Sequence, residues 1–398
     1  MRLIALIFGA ASLVLTGCTE TMNDIKETTS GWLGDSGKAD EASKPTELDD
    51  DFKPTLKVEE LWSERAGKGT EELYLKLVPA TDGKAVFTAD RDGRVISLAS
   101  SSGKERWSKQ DEGRLISGGP GVGEGKVIVG TSEAEVVARD TKTGRKLWVA
   151  EVSSEILAPP RAAQGTVIVR TGDGNLYALD VETGAERWVY DRTIPTLTLR
   201  GTAAPTIHEG VVYAGFDNGR IVALDLATGQ QIWDTQLAQP TGRSDLERLV
   251  DIDGEPVLKD NLLYIGSFQG RVAAMSKDDG AIEWTRDMST YDQVAVDDDR
   301  VYITDERGVV WALDRYDGSA RWRNKDLKFR QLTGPMHFQD YIVVGDFEGY
   351  LHWMSDETGE LVARTRIDKE RIITPPIDVG GALLGYSSSG KISVFRAP

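Results

Sequence analysis

The sequence predicts an all-β fold, an eight-bladed β-propeller of four-stranded antiparallel blades, and three observations carry that prediction. A common block recurs eight times, starting at Val86, Val127, Val167, Val212, Leu263, Val301, Ile342 and Leu383. Trp stands 21 residues after the start in six copies, as at Trp148, Trp188 and Trp233, with Ala363 in its place in the seventh. Pro stands seven residues before the start in every copy except the one with Val294. Two anchors in fixed register at a period of roughly 40–45 residues define repeated blades.

Each copy supplies four strands. Short apolar alternating runs, such as Val211-Val212-Tyr213-Ala214 and Arg220-Ile221-Val222-Ala223-Leu224, read as half-buried strands. Between them lie pairs such as Asp92-Gly93, Asp173-Gly174, Asn218-Gly219, Gln269-Gly270 and Glu348-Gly349, which provide the positive φ of a tight hairpin. A second turn recurs at Gly144, Gly184, Gly229 and their equivalents, commonly after an Asp or Thr that bonds the turn backbone. The strand carrying Pro and the strand ending in Trp complete the four. The eighth copy stops after Phe395, without its Trp strand, whereas Lys57-Val58-Glu59-Glu60-Leu61-Trp62 matches that strand. The N-terminal segment is therefore expected to pair into the last blade and close the ring. The recurrent Trp residues are assigned to the seams between blades, their N–H groups bonded to backbone.

Composition narrows the partners. The 398-residue chain has a formal net charge of −17, which argues against nucleic acid, since phosphate recognition needs clustered Lys and Arg. Its single cysteine, Cys18, forms no intramolecular disulfide and supplies no multi-Cys metal site. Ahead of it stand Arg2, an apolar run from Leu3 to Leu15, and Leu15-Thr16-Gly17. This resembles a bacterial lipoprotein signal, which implies cleavage before Cys18, acylation of Cys18 and, with Thr19 following, sorting to the outer membrane. Residues 1–17 are thus read as signal peptide, 18–56 as lipidated Cys plus a polar flexible tether, and 57–398 as the propeller.

In a repeat protein, function is expected where copies differ. The link from Trp to the next Pro spans 12 or 13 residues in plain copies but 17 from Trp188 to Pro205 and 23 from Trp233 to Pro256. Both links join an outer strand to the next inner strand, so they leave by one face and lie side by side. They carry Leu197, Leu199 and Arg200 on one side, and Asp251 and Asp253 flanking Ile252 on the other. An apolar patch with charges of both signs suits protein docking. An equally available reading is local: the leucines bury inward and Arg200 pairs with Asp251 or Asp253.

The blade pattern Ala-x-Asp-x-x-x-Gly-x-x-x-Trp, as in Ala178 to Trp188, resembles the repeats of quinoprotein dehydrogenases and of the BamB lipoproteins of the barrel-insertion (BAM) complex. Leu197-Thr198-Leu199-Arg200-Gly201, Arg248-Leu249-Val250-Asp251-Ile252-Asp253 and the stretch from Val344 to Trp353 favour the latter. That resemblance implies a non-enzymatic, periplasm-facing scaffold that docks on the POTRA domains of BamA beside the other BAM subunits and, as a further expectation, meets unfolded barrel precursors. It implies BamA contacts at Leu197, Leu199, Arg200, Asp251 and Asp253.

The alternative, a quinone-dependent dehydrogenase, calls for calcium ligands and an Asp base that stand apart from the repeat, and none is evident, so no cofactor is expected. Asp297-Asp298-Asp299 lacks calcium-loop spacing and reads as a solvated turn. His208, His337 and His352 fall far apart in the repeat and read as surface or turn residues, and Gly118 to Lys126 reads as a hairpin turn rather than a phosphate loop. Gly385 to Gly390 lacks the context of a nucleophile elbow.

Overall fold

The middle strands of each repeat are apolar along nearly their whole length because a neighbouring blade covers each face. Val212 to Gly215 and Ile221 to Leu224 are buried throughout. The computed structural model describes residues 43–70, 75, 77–192, 203–239, 243–244 and 249–398. In it the strands form eight four-stranded sheets, all pairings antiparallel. Blades 1 to 7 follow one another along the chain, at 80–110, 116–151, 161–190, 206–236, 257–287, 295–324 and 336–366. In each of them the strands neighbour one another in chain order. Blade 8 combines Ile377–Asp378, Leu383–Tyr386 and Lys391–Arg396 with the N-terminal strand Glu59–Arg65, which pairs with Lys391–Arg396 and closes the ring as expected. The hydrophobic core is divided among the seams: Ile168 and Ala178 of blade 3 pack with Val212 and Leu224 of blade 4, and Tyr213 and Ala223 of blade 4 with Leu263 and Met275 of blade 5.

The repeat motif is explained by one recurring contact. In seven of the eight blades the indole of the outer strand crosses to the next blade and donates its Nε1–H to a backbone carbonyl there: Trp107 to Thr141, Trp148 to Val181, Trp188 to Leu226 and Trp233 to Lys277, all at 2.9–3.0 Å. Trp62, Trp284 and Trp322 do the same. Beneath each ring lies the turn glycine of the receiving blade. Gly184 has φ 75°, and a Cβ added there would sit 2.6 Å from the Trp148 ring. The motif's Asp holds that turn: Asp180 Oδ1 accepts the Glu182 and Thr183 amides. Hydrogen bonds from Arg187 and then Thr183 hold its carboxyl at a pKa of about 2. The motif's small residue makes room for the indole on the adjoining strand, Ala178 facing Trp188 and Ala223 facing Trp233.

Ala363 is no gap in this scheme. In blade 7 the pair is reversed, with Trp353 facing Ala363. Trp353 is completely buried with Phe338, Leu383, Phe395 and Leu56 at the seam to blade 8. Leu56 belongs to a stretch read from the sequence as tether, yet the compact unit begins at Thr46. The Thr46 amide bonds Lys328 O, Arg364 donates to Asp49 O, and the Thr55 and Leu56 amides both bond Val362 O.

Two turns differ from expectation. At Gln269-Gly270 the positive φ, 46°, belongs to Gln269, because the Ser267 hydroxyl accepts the Arg271 amide and crowds Gly270. The segment from Gly118 to Lys126 is mostly strand, Ile116–Gly123, with its turn confined to Glu124 and Gly125. Its glycines let the inner strand of blade 3 approach: a Cβ on Gly121 would lie 1.8 Å from Pro160 O.

Gly229, at φ 71° with an added Cβ 2.6 Å from the Trp188 ring, should be the costlier of two glycines to replace. Gly229→Ala is expected to lose about 2–4 kcal/mol in chemical denaturation. Gly83→Ala, at φ 82° but with no neighbour within 4 Å, should lose only about 1 kcal/mol of backbone strain.

Candidate functional site

Both enlarged connectors root on blade 4. The first runs from Arg192 to Ala203, and Leu197, Leu199 and Arg200 lie outside the described residues. Arg192 itself is held firmly: it donates to Asp234 Oδ2 at 2.8 Å and to the Tyr190 hydroxyl at 3.0 Å, and its guanidinium lies 5.3 Å from the centre of the Phe216 ring. The second connector returns through Leu249–Val250–Asp251–Ile252, all buried. The Ile252 amide donates to Phe216 O at 3.3 Å, and Asp251 O accepts the Phe268 amide at 2.8 Å. Asp251, expected at a contact surface, is therefore wholly inside, while Asp253 is half-buried and points elsewhere.

Asp253 lines a cavity of about 310 Å³ together with Pro79, Pro120, Arg161, Glu255 and Asp292. These residues stand at or just before the inner strands of several blades, so the cavity is the mouth of the central channel. Arg161 of blade 3 pairs with Glu255 at the entry to blade 5, Nε to Oε1 being 3.1 Å, and thus bridges past blade 4. Thr206 of blade 4 donates to Pro256 O at 2.6 Å. The rim around blade 4 is thereby tied together from three blades.

Sequence reasoning missed the ion pairs that support this rim. Arg170 and Asp217 form a buried pair between blades 3 and 4, and Arg220 joins Arg192 on Asp234. It also misplaced His352, which is fully buried on blade 7 with its Nε2 2.9 Å from Asp346 Oδ2. Asp346 binds Arg330 as well, and Arg330 reaches Thr46 O. Its place in a middle strand, buried on both faces, is the signal that was available. Burial opposes ionisation of Asp346, but hydrogen bonds from His352, the Tyr350 amide and Arg330 outweigh it and hold the carboxyl below its ordinary value. Burial pushes the His352 imidazole down, beyond what Asp346 restores.

Asp298 is solvated as expected, yet Asp297 turns inward. Its Oδ1 takes the Asp299 and Arg300 amides and its Oδ2 the Tyr302 hydroxyl. Asp297, His337 and Asp356 present ligand atoms within 4.8 Å of one another. Arg300 lies 3.8 Å from both carboxylates, however, and already supplies their countercharge, so this group reads as a seam between blades 6 and 7 rather than a cation site.

A closed propeller whose irregular chemistry gathers at two neighbouring rim connectors belongs to the class of binding scaffolds. Residues 91–324 match the family model described as outer membrane protein assembly factor BamB. The chain is 38% identical to the outer membrane protein assembly factor BamB of Xanthomonas campestris pv. campestris, across 100% of this chain and 97% of that one. The crystal structure of BamB from Moraxella catarrhalis superposes with a TM-score of 0.79 at 29% identity, covering 85% of this chain and 99% of that one. Quinohemoprotein alcohol dehydrogenase from Comamonas testosteroni shares the fold alone, with a TM-score of 0.65 at 14% identity over 85% and 76% of the two chains. The chain belongs to the BamB family of outer membrane protein assembly factors.

The buried His352 sets a pH response. Its folded pKa lies below the ordinary 6.5, so above 6.5 its contribution is complete. As pH falls below that value the unfolded chain takes up a proton that the folded chain does not, and stability declines, by at most about 1.4 kcal/mol per pH unit. Denaturation midpoints should drop between pH 7 and 5, and His352→Gln should flatten that slope.

Proposed function

We propose that the chain is a non-enzymatic scaffold of outer membrane protein assembly whose propeller docks, through the rim at blade 4, on the periplasmic POTRA domains of BamA. The observation that carries this reading is the rooting of both enlarged connectors on one blade, Arg192 over the Phe216 ring and Ile252 on the Phe216 carbonyl. Roots so held have little ordering left for binding to complete. Leu197, Leu199 and Arg200 supply the contact side chains. Buried Asp251 sets the path of the second connector, and Asp253 faces the channel mouth. Membership of the BamB family supports the assembly role and weighs against the dehydrogenase alternative.

In the same reading, residues 1–17 are removed, Cys18 is acylated in the outer membrane, and the segment up to Pro45 links it to the propeller that begins at Thr46. The partner set is BamA, the remaining BAM subunits and unfolded barrel precursors.

Arg200→Ala, alone and with Leu197→Ser and Leu199→Ser, is expected to abolish co-purification with BamA from solubilised envelopes while the denaturation midpoint stays put. Undiminished recovery of BamA with the triple variant overturns the site assignment. Cys18→Ser is expected to move the chain from the membrane to the soluble periplasmic fraction, and retention in the membrane would remove the lipid-anchor reading.

A further inference from the structure

The hairpin between the middle strands opens on a small polar residue in seven of the eight blades. In most copies its oxygen takes the amide four residues on: Thr131 from Glu135, Ser267 from Arg271, Asp305 from Val309, Asp346 from Tyr350 and Ser387 from Lys391. Asp90 and Thr171 are likewise polar and hydrogen-bonded, Asp90 to the Lys68 amide and Thr171 to Asn175 O. Blade 4 alone carries an aromatic there, Phe216, and Asn218 caps the turn instead by accepting the Arg220 amide at 3.2 Å. The ring is buried, at 1% exposure, with Arg170 5.5 Å and Arg192 5.3 Å from its centre. Arg170 is also a departure: the equivalent positions hold Ala89, Gly130, Gly215, Gly266, Thr304, Gly345 and Tyr386, none of them charged.

We infer that Phe216 is a positioning residue that couples the two connectors into one docking unit. Its ring face fixes Arg192 at the root of the first, and its carbonyl fixes Ile252 at the root of the second. The second root also packs onto blade 4 through Gly215, where an added Cβ would lie 2.2 Å from Ile252. The ring replaces the polar side chain of the other copies, and what it gains is a seat for two guanidinium groups, each countered by a carboxylate: Arg170 by Asp217 and Arg192 by Asp234. This inference rests on the docking reading above and assigns it a determinant away from the contact surface.

The test titrates the purified chain with the periplasmic region of BamA and follows amide exchange in the free chain. Phe216→Leu keeps an apolar side chain and removes the ring face, and it is expected to weaken binding about tenfold. Protection at the Arg192 and Ile252 amides should fall together. Phe216→Tyr keeps the ring and should bind within about twofold of the parent, a rescue that simple cavity filling does not predict for Tyr over Leu. Arg192→Gln, which leaves the ring in place, should reproduce the loss, and it decides the matter if Phe216→Leu does not fold. Binding of Phe216→Leu and Arg192→Gln equal to the parent, with Arg200→Ala defective, overturns this inference and leaves the docking reading standing. Equal binding by all three removes both.

Discussion

The ring depends on the indole that leaves one blade and lodges over the turn glycine of the next. A β-sheet with two apolar faces is stable only when both are covered, and in a propeller each cover is supplied by a neighbour with the same need. The indole fixes how neighbours meet, because its N–H has one carbonyl to bond and its ring has one socket without a Cβ to fill. The small residue facing it, the Asp that ties the turn, and the glycine are all consequences of that contact. Where the pair is inverted, with Trp353 on the inner of the two strands and Ala363 outside, the seam is completed by Leu56 from a segment outside the repeat.

Such a frame leaves the connectors free to vary in length, since the indole contacts do not pass through them. Several connectors still enter the packing, Ile156, Leu327 and Ile372 in plain links and Ile252 in the second enlarged one, while Arg192 roots the first on blade 4. Membership of the BamB family of assembly factors goes here with a ring whose two enlarged connectors both touch blade 4.

The ring was legible from the chain because its signals are periodic. Trp, Pro and Gly in fixed register gave the blade count, and the orphan strand around Trp62 gave the closure. The rim was legible only as length. That the connectors from Trp188 and Trp233 are long is visible in spacing, but that Asp251 is buried is not, because its neighbours Val250 and Ile252 are apolar in a stretch too short to show a period. The Arg170–Asp217 and Arg192–Asp234 pairs join residues 47 and 42 positions apart on different blades, a separation that carries no local pattern. His352 was read as a surface residue because chemistry, not its place in a middle strand, was given priority for histidine. Thr46 to Leu56 escaped notice since backbone hydrogen bonds and one buried leucine attach it, and neither depends on composition.

Blade 8 joins the two ends of the molecule: Ser63 and Ser393, 330 positions apart, are hydrogen-bonded across its outer pair of strands. Each of the first seven blades is contiguous in sequence and can form from its own stretch of chain. The final sheet has to wait for the last few residues. Bringing the two ends together carries the entropy of closing the longest loop in the chain. The ring therefore closes only when the whole propeller sequence is present, so that a truncated copy lacks the closed circle that gives the rim its fixed geometry.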